Sequence, residues 1–358
     1  MNQHDGQCLT NLPIPKELIS EIKVSRQVTS HINDSRKTIK NILSGKDHRL
    51  LVVIGPCSVH DEEACLDYAN RLQSINKQYQ ESLFVVMRTY LEKPRTTIGW
   101  KGFISDPNLD GSHDYVDGLY RSRSLLYKIN QMGLATATEI LDPYLYSYYS
   151  DLICWAAIGA RTTESQPHRE IVSALPYAVG FKNSTDGNIQ VAMDAIQTAK
   201  YSHTTCSLNY SGQLSLMCSA GNPYGHVILR GGKQPNYYQS DVQKVHAKLR
   251  EQGINPCVMV DLSHGNSQRN HKQQLVVAES VCLQIENGST AILGVMAESF
   301  IKGGNQPLSH QLNYGQSITD ACLSWQDTLG LLDRLHAAML VKYRVSRGWS
   351  FSAERWAS

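Results

Sequence analysis

At 358 residues and 41% hydrophobic, the chain can bury a sizeable core, and a β/α barrel could take most of it as one domain. Its formal net charge of +2 sets 34 Lys and Arg against 32 Asp and Glu, so global charge implies neither nucleic acid nor a membrane surface as partner. Nine cysteines at no scaffold-like spacing, no run near about 18 uncharged apolar residues, and an opening M-N-Q-H-D-G-Q without an apolar h-region lead us to expect a soluble, reducing, cytoplasmic setting.

Residues 1–47 are polar and mixed. They read as an extended arm followed by a helix, with Ser35 as its cap and Gly45 at its end. The arm is too poor in apolar residues for its own core and is a candidate for packing on a neighbouring subunit. From residue 50 the pattern becomes strand, breaker, helix. L-L-V-V-I-G (50–55) is apolar without alternation, as buried parallel strands are. Asp61 opens a periodic helix over 61–72. Further strands are predicted near 84–88, 134–139, 156–161, 177–182, 226–231, 257–262 and 292–297. Helices are predicted over 118–131, 144–155, 188–200, 240–252, 271–286 and 325–343. The strands number eight, so the fold class is α/β, a (β/α)8 TIM barrel over 48–343. T-T-C-S-L-N (204–209) and L-S-L-M-C (214–218), joined by Y-S-G-Q, read as a β-hairpin inserted after strand five. The alternative makes one of them a barrel strand and demotes another. Residues 344–358 are expected to form a flexible tail.

Short apolar runs end repeatedly in ionisable residues: V-V-M-R88, A-I-G-A-R161, V-G-F-K182 and V-I-L-R230. Three more end in V-V-I-G-P-C57, M-V-D-L-S-H264 and V-M-A-E298. A barrel strand passes at its C-terminal end from packed core to open mouth, so these groups mark a working rim. Closure brings strands one, seven and eight together. Cys57, His264, Glu298 and Asp320 then make a mixed S/N/O set for a divalent ion such as Mn, Fe, Co or Zn. Arg88, Lys93, Arg161, Lys182 and Arg230 converge on one mouth and would repel one another unless an anion carrying phosphate and carboxylate neutralised them. In E-K-P-R-T-T-I-G-W-K-G (92–102), Arg95, Thr96 and Thr97 form a separate phosphate clamp.

These stretches, with A-I-G-A-R-T-T-E-S-Q, V-G-F-K-N-S-T-D-G, H-V-I-L-R-G-G-K, D-L-S-H-G-N-S and Y-G-Q-S-I-T-D-A-C, closely resemble one family. It is the bacterial class I of 3-deoxy-D-arabino-heptulosonate 7-phosphate (DAHP) synthases, regulated by aromatic amino acids, and the likeness runs from about residue 14 to 343. The resemblance implies condensation of phosphoenolpyruvate with erythrose 4-phosphate and release of phosphate, the first step of the shikimate pathway. It implies Cys57, His264, Glu298 and Asp320 as metal ligands. Phosphoenolpyruvate would meet Arg88, Lys93, the Ala160 backbone N–H, Arg161, Lys182 and Arg230, with Glu139 nearby. Erythrose 4-phosphate would meet Arg95, Thr96 and Thr97. Lys93, His264, Cys57 and Glu139 are the catalytic candidates. A homodimer or homotetramer is implied, with feedback inhibition by tryptophan, tyrosine or phenylalanine. The effector cavity would draw on 139–146 and 173–177, including Asp142, Tyr146, Leu175 and Pro176. Tyr146 and Pro176 depart from the family's usual small or Pro/Gly residues there. The wording of several motifs favours the tryptophan-sensitive branch. The rival readings are a related phosphoenolpyruvate–aldose phosphate synthase, a Schiff-base aldolase using Lys182 or Lys93, and an inactive metabolite-binding regulator.

Overall fold

The computed structural model describes residues 2–4 and 7–346. A short antiparallel pair, β1 (Asn2–His4) and β2 (Gln7–Leu9), opens the chain, followed by α1 (Pro15–Glu21) and α2 (Arg26–Leu43). The barrel strands are β3 (Leu50–Gly55), β4 (Leu83–Arg88), β5 (Ala135–Glu139), β6 (Trp155–Ile158), β7 (Ala178–Lys182), β10 (Gly225–Leu229), β11 (Val258–Asp261) and β12 (Ile292–Glu298). All eight pair in parallel, and β12 closes on β3 with Glu298 opposite Gly55. Nearly every strand residue is buried, because one face fills the barrel and the other meets the helices. The sheath is α3 (Glu62–Tyr79), α4 (Tyr115–Gln131), α5 (Gln166–Ala174), α6 (Gln190–Lys200), α7 (Gln239–Glu251), α8 (Gln273–Glu286) and α9 (Trp325–Ser346).

The hairpin, β8 (Thr204–Leu208) with β9 (Leu214–Cys218), pairs only with itself. It stands outside the barrel, after the fifth barrel strand, as expected of two short runs joined by Y-S-G-Q. The expected tail falls largely on residues 347–358, which lie outside the described residues.

Local capping fixes several starts. The Asp61 carboxylate accepts from the Ala64 N–H at 3.0 Å and begins α3 as expected. The cap of α2 is Ser25, not Ser35. Ser35 is instead buried within the helix, on the face carrying Val28, Ile32, Ile39 and Ile42. That face lies on the chain's own barrel. Arg36 donates to the carbonyls of Ser150 and Ile153, just before β6, and Asn255, just before β11, donates to that of Leu43. The helix therefore closes the end of the barrel opposite the rim. Gly45, at φ +70°, follows the helix end, where a left-handed residue suits glycine.

The predicted helix over 144–155 does not form. Two short 3-10 turns, Tyr146–Tyr148 and Ser150–Leu152, take its place. Serine and aromatic residues are indifferent helix formers, and distant arginines capture the carbonyls a helix would use. Arg123 takes the Tyr148 carbonyl at 3.0 Å, and Arg36 takes that of Ser150 at 2.9 Å. Two short helices, α1 and α5, were not foreseen. Pro15 sits in the first turn of α1, and the Glu17 carboxylate accepts from the Ile14 N–H at 3.1 Å.

Candidate active site

The strand ends deliver their side chains to one mouth. Arg88, Lys182 and Glu298 are the last residues of β4, β7 and β12. Arg230 follows β10 by one residue. The fourth barrel strand stops at Ile158, short of the predicted Arg161, which stands in the following turn. Here a Cβ on Gly159 would run into the Glu139 carboxylate, so glycine leaves room for that acid against the turn.

An inner cavity of about 220 Å³ is lined by Cys57, Arg88, Lys93, Arg95, Thr96, Glu139, Arg161, Arg230, His264, Glu298 and Asp320. A neighbouring one of about 160 Å³ adds Ala160 and Lys182 and shares Arg161, Arg230 and Glu139. Thr97 lines neither. It faces an outer groove of about 550 Å³ reached by Arg95 and Lys93 from the other side. The clamp loop thus separates inner cavity from outer groove, and Arg95 belongs to both. Arg161 and the clamp are tied directly, with the guanidinium donating to the Thr96 hydroxyl at 2.8 Å.

Ligand atoms of Cys57, Glu298 and Asp320 all lie within 4.8 Å of one another. His264 Nε2 is 3.7 Å from the Glu298 carboxylate. A thiol and two carboxylates gathered at one point, with an imidazole beside one of them, are the donor chemistry of a borderline divalent ion, so the residues fit such a group. Lys93 reaches the same point, 2.9 Å from Cys57 Sγ and 2.7 Å from Asp320 Oδ2. Arg88 is fully buried, 3.1 Å from Glu298 and stacked 3.5 Å above the Tyr90 ring.

The electrostatics follow from this crowding. Burial pushes the Cys57 thiol up to about 11, with Glu298 and Asp320 adding to it and Lys93 and Arg88 opposing. Burial alone would raise Asp320, but the Lys93 ammonium outweighs it and holds the carboxyl well below the usual range. The same partners hold Lys93 firmly protonated against its own desolvation. Burial lowers Arg230, and the neighbouring Arg161 and Arg269 add to this while Asp261 and Glu298 resist. That is the mark of cations gathered for an anion.

Sequence reading missed two residues here. Asp261 is fully buried between Lys182, at 3.0 Å, and His264, at 2.9 Å. Its place at the end of an apolar strand in M-V-D-L-S-H was the available signal. Arg269 lines both inner cavities. It sits in a loop where His264, Gln268 and Arg269 all have left-handed backbone, φ +53°, +52° and +62°. Sequence gives no sign of such strain, which collects at functional sites.

The four effector-cavity candidates separate. Tyr146, Leu175 and Pro176 line one cavity of about 470 Å³ together with Tyr210, Leu208 and Leu216 of the hairpin region. Asp142 is not among them. Its N–H donates to the buried Glu92 carboxylate at 3.2 Å, which draws it to the outer groove of the clamp loop.

The family model described as the DAHP synthetase I family matches residues 21–333. The chain belongs to this family. It is 51% identical over 337 residues to the Trp-sensitive phospho-2-dehydro-3-deoxyheptonate aldolase of Escherichia coli (strain K12), covering 94% of this chain and 97% of that one. The Trp-sensitive enzyme of Salmonella typhimurium (strain LT2) is 51% identical over 333 residues, covering 92% and 96%. The solved phospho-2-dehydro-3-deoxyheptonate aldolase of Francisella tularensis SCHU S4 superposes with a TM-score of 0.92 at 45% identity, over 94% of this chain and 99% of that one.

Proposed function

We propose that this protein is a metal-dependent DAHP synthase, joining phosphoenolpyruvate, erythrose 4-phosphate and water into DAHP and phosphate at the head of the shikimate pathway. The observation that carries this reading is the meeting of a cation cluster and a soft–hard donor set in one cavity of a family member. Cys57, His264, Glu298 and Asp320 would hold the ion. When bound there, a divalent ion supplies Lewis acidity toward an aldehyde oxygen.

The chain's own residues do the rest. Arg161, Lys182 and Arg230, with the Ala160 N–H, fix the phosphate and carboxylate of phosphoenolpyruvate, while Arg88 and Lys93 bring charge from the metal side. Arg95 and Thr96, the clamp residues that line the inner cavity, hold the sugar phosphate, while Thr97 faces the outer groove. Carbon 3 of phosphoenolpyruvate then faces the aldehyde carbon. Their bond forms, water adds at carbon 2, and phosphate leaves by C–O cleavage. The cations stabilise the departing charge, and Glu139 stands against the Ala160 turn to steer the water side. With His264 given to the ion, Lys93, protonated beside Cys57 and Asp320, is the proton-carrying group on the metal side.

A Schiff-base mechanism fits the geometry poorly. Lys93 is held protonated by Cys57 and Asp320, and Lys182 is ion-paired to buried Asp261 at 3.0 Å. An attacking amine must be neutral. The deciding experiment mixes the two substrates with Mn2+ and follows phosphate. Release that stops with chelator and returns with metal supports the assignment. A borohydride-trapped adduct with activity surviving full chelation defeats it. Substrate binding without release under any metal would favour the inactive regulator.

We further infer a cytoplasmic homodimer or homotetramer inhibited by one aromatic amino acid, tryptophan ahead of tyrosine and phenylalanine. Support comes from the relatives' stated tryptophan sensitivity and from the cavity of Tyr146, Leu175 and Pro176 away from the mouth. Among the described residues no helix is long and apolar enough to cross a membrane.

A further inference from the structure

The carboxylate of Asp261 lines neither inner cavity, yet it touches two residues that do. It is completely buried at the end of β11. One oxygen, Oδ1, accepts from the Ser263 N–H at 3.0 Å and from the Ser263 hydroxyl at 2.6 Å. The other, Oδ2, stands at ion-pair distance from His264 Nδ1 (2.9 Å) and Lys182 Nζ (3.0 Å) without hydrogen-bond geometry to either, so the hydrogen-bonded route from Asp261 to the ring runs through the Ser263 hydroxyl. The backbone beneath is fixed as well. The Asn266 side-chain amide donates to the Asp261 carbonyl at 2.8 Å and to that of Leu229 at 3.0 Å, tying β11 to β10.

This arrangement decides the tautomer of His264. Nδ1 has two close neighbours, the Asp261 carboxylate and the Ser263 hydroxyl at 2.8 Å. The single hydroxyl proton of Ser263 is already given to Asp261. Both neighbours can therefore only accept, so Nδ1 carries the proton and Nε2 presents its lone pair. Nε2 is the nitrogen turned toward Glu298. The backbone adds to the constraint, because His264 is left-handed at φ +53° and the ring is aimed from a fixed, strained position.

We propose that Asp261 is a positioning residue shared by the two halves of the site, holding His264 for the metal and Lys182 for phosphoenolpyruvate with one carboxylate. This rests on the functional reading above. An amide in place of Asp261 cannot do both tasks. The side chain introduced by Asp261→Asn would have one accepting oxygen, while Ser263, Nδ1–H and Lys182 offer donors on both sides. With its NH2 toward His264, the ring would be driven to the other tautomer, protonated at Nε2 and unable to ligate.

The test compares parent, Asp261→Asn and Ser263→Ala after chelation, by calorimetric titration with Mn2+ alone and by KM for phosphoenolpyruvate at saturating Mn2+. The parent should bind one equivalent; failure of the parent to bind sinks the functional reading rather than this inference. Asp261→Asn should bind Mn2+ about 10–100-fold more weakly and raise the KM. Mn2+ affinity within about twofold of the parent overturns the proposal, as does lost affinity with the parent's KM, since that denies the shared role. Should Asp261→Asn not fold, Ser263→Ala decides. It should weaken Mn2+ severalfold and move the KM less, and unchanged Mn2+ affinity overturns the proposal.

Discussion

Among single residues, Cys57 is the sharpest test of the donor set. A hydroxyl is a poor substitute for a thiolate toward a borderline ion. Cys57→Ser is expected to lose most turnover and at least about tenfold in Mn2+ affinity, about 1.4 kcal/mol, by calorimetry. A cysteine that merely packs would tolerate the change. Glu92 makes a second prediction. Burial, and next the Asp142 carboxylate, push it from 4.5 up to about 8. An acid raised on folding contributes stability that is complete below its unfolded value and is lost as pH rises through the folded one. Stability of the parent should thus fall between about pH 4.5 and 8 relative to Glu92→Gln, read from denaturant midpoints at several pH values. A constant difference across that window would show that Glu92 is charged throughout. Arg269→Ala should raise the KM for a phosphorylated substrate, because it removes one of the cations facing Arg230. Cys57 and Arg230 were legible because chemistry-bearing residues closed apolar runs. Arg269 was not, because a strained loop rather than a strand end brings it in.

At the scale of elements, parallel strands announce themselves as apolar runs without alternation, which is why all eight were legible. The segment 144–155 was misread because its structure depends on Arg36 and Arg123, far away in sequence. Arg123 is fully buried, pairs with Asp151 at 2.6 Å and also holds the Ile22 carbonyl. Arg123→Met should cost on the order of 3 kcal/mol in denaturant unfolding, since Asp151 and two carbonyls lose their donor. The cavity proposed for an effector was only partly legible for a similar reason. Tyr146, Leu175 and Pro176 do line it, but the wall formed by the hairpin comes from an insertion more than one element away. Tyr146→Ala should alter inhibition by an aromatic amino acid while leaving uninhibited turnover near the parent value. Rate assays with each of the three amino acids, repeated after deletion of residues 1–15, separate the cavity from the arm. Inhibition by none would defeat the regulatory reading and leave the catalytic one standing.

For the molecule as a whole, the residues that could hold one ion come from opposite ends of the barrel sequence. Cys57 follows the first barrel strand, Glu298 ends the last, and Asp320 lies beyond it. An ion bound only by the folded chain adds RT ln(1 + [L]/Kd), about 2.7 kcal/mol at one hundred times Kd. Mn2+ should therefore raise the thermal midpoint of the chelated protein, and Cys57→Ser should abolish most of that rise.

The seam where β12 meets β3 also has a meaning in time. A ribosome releases Cys57 early and Asp320 late, with 263 positions of synthesis between them. No nascent fragment lacking the closing strand can gather the ligands, and no cleaved barrel keeps them together without both edges of the seam. Metal capture at this set would thus be reserved for chains that have been finished and closed, with the ion as a clasp that rewards completion.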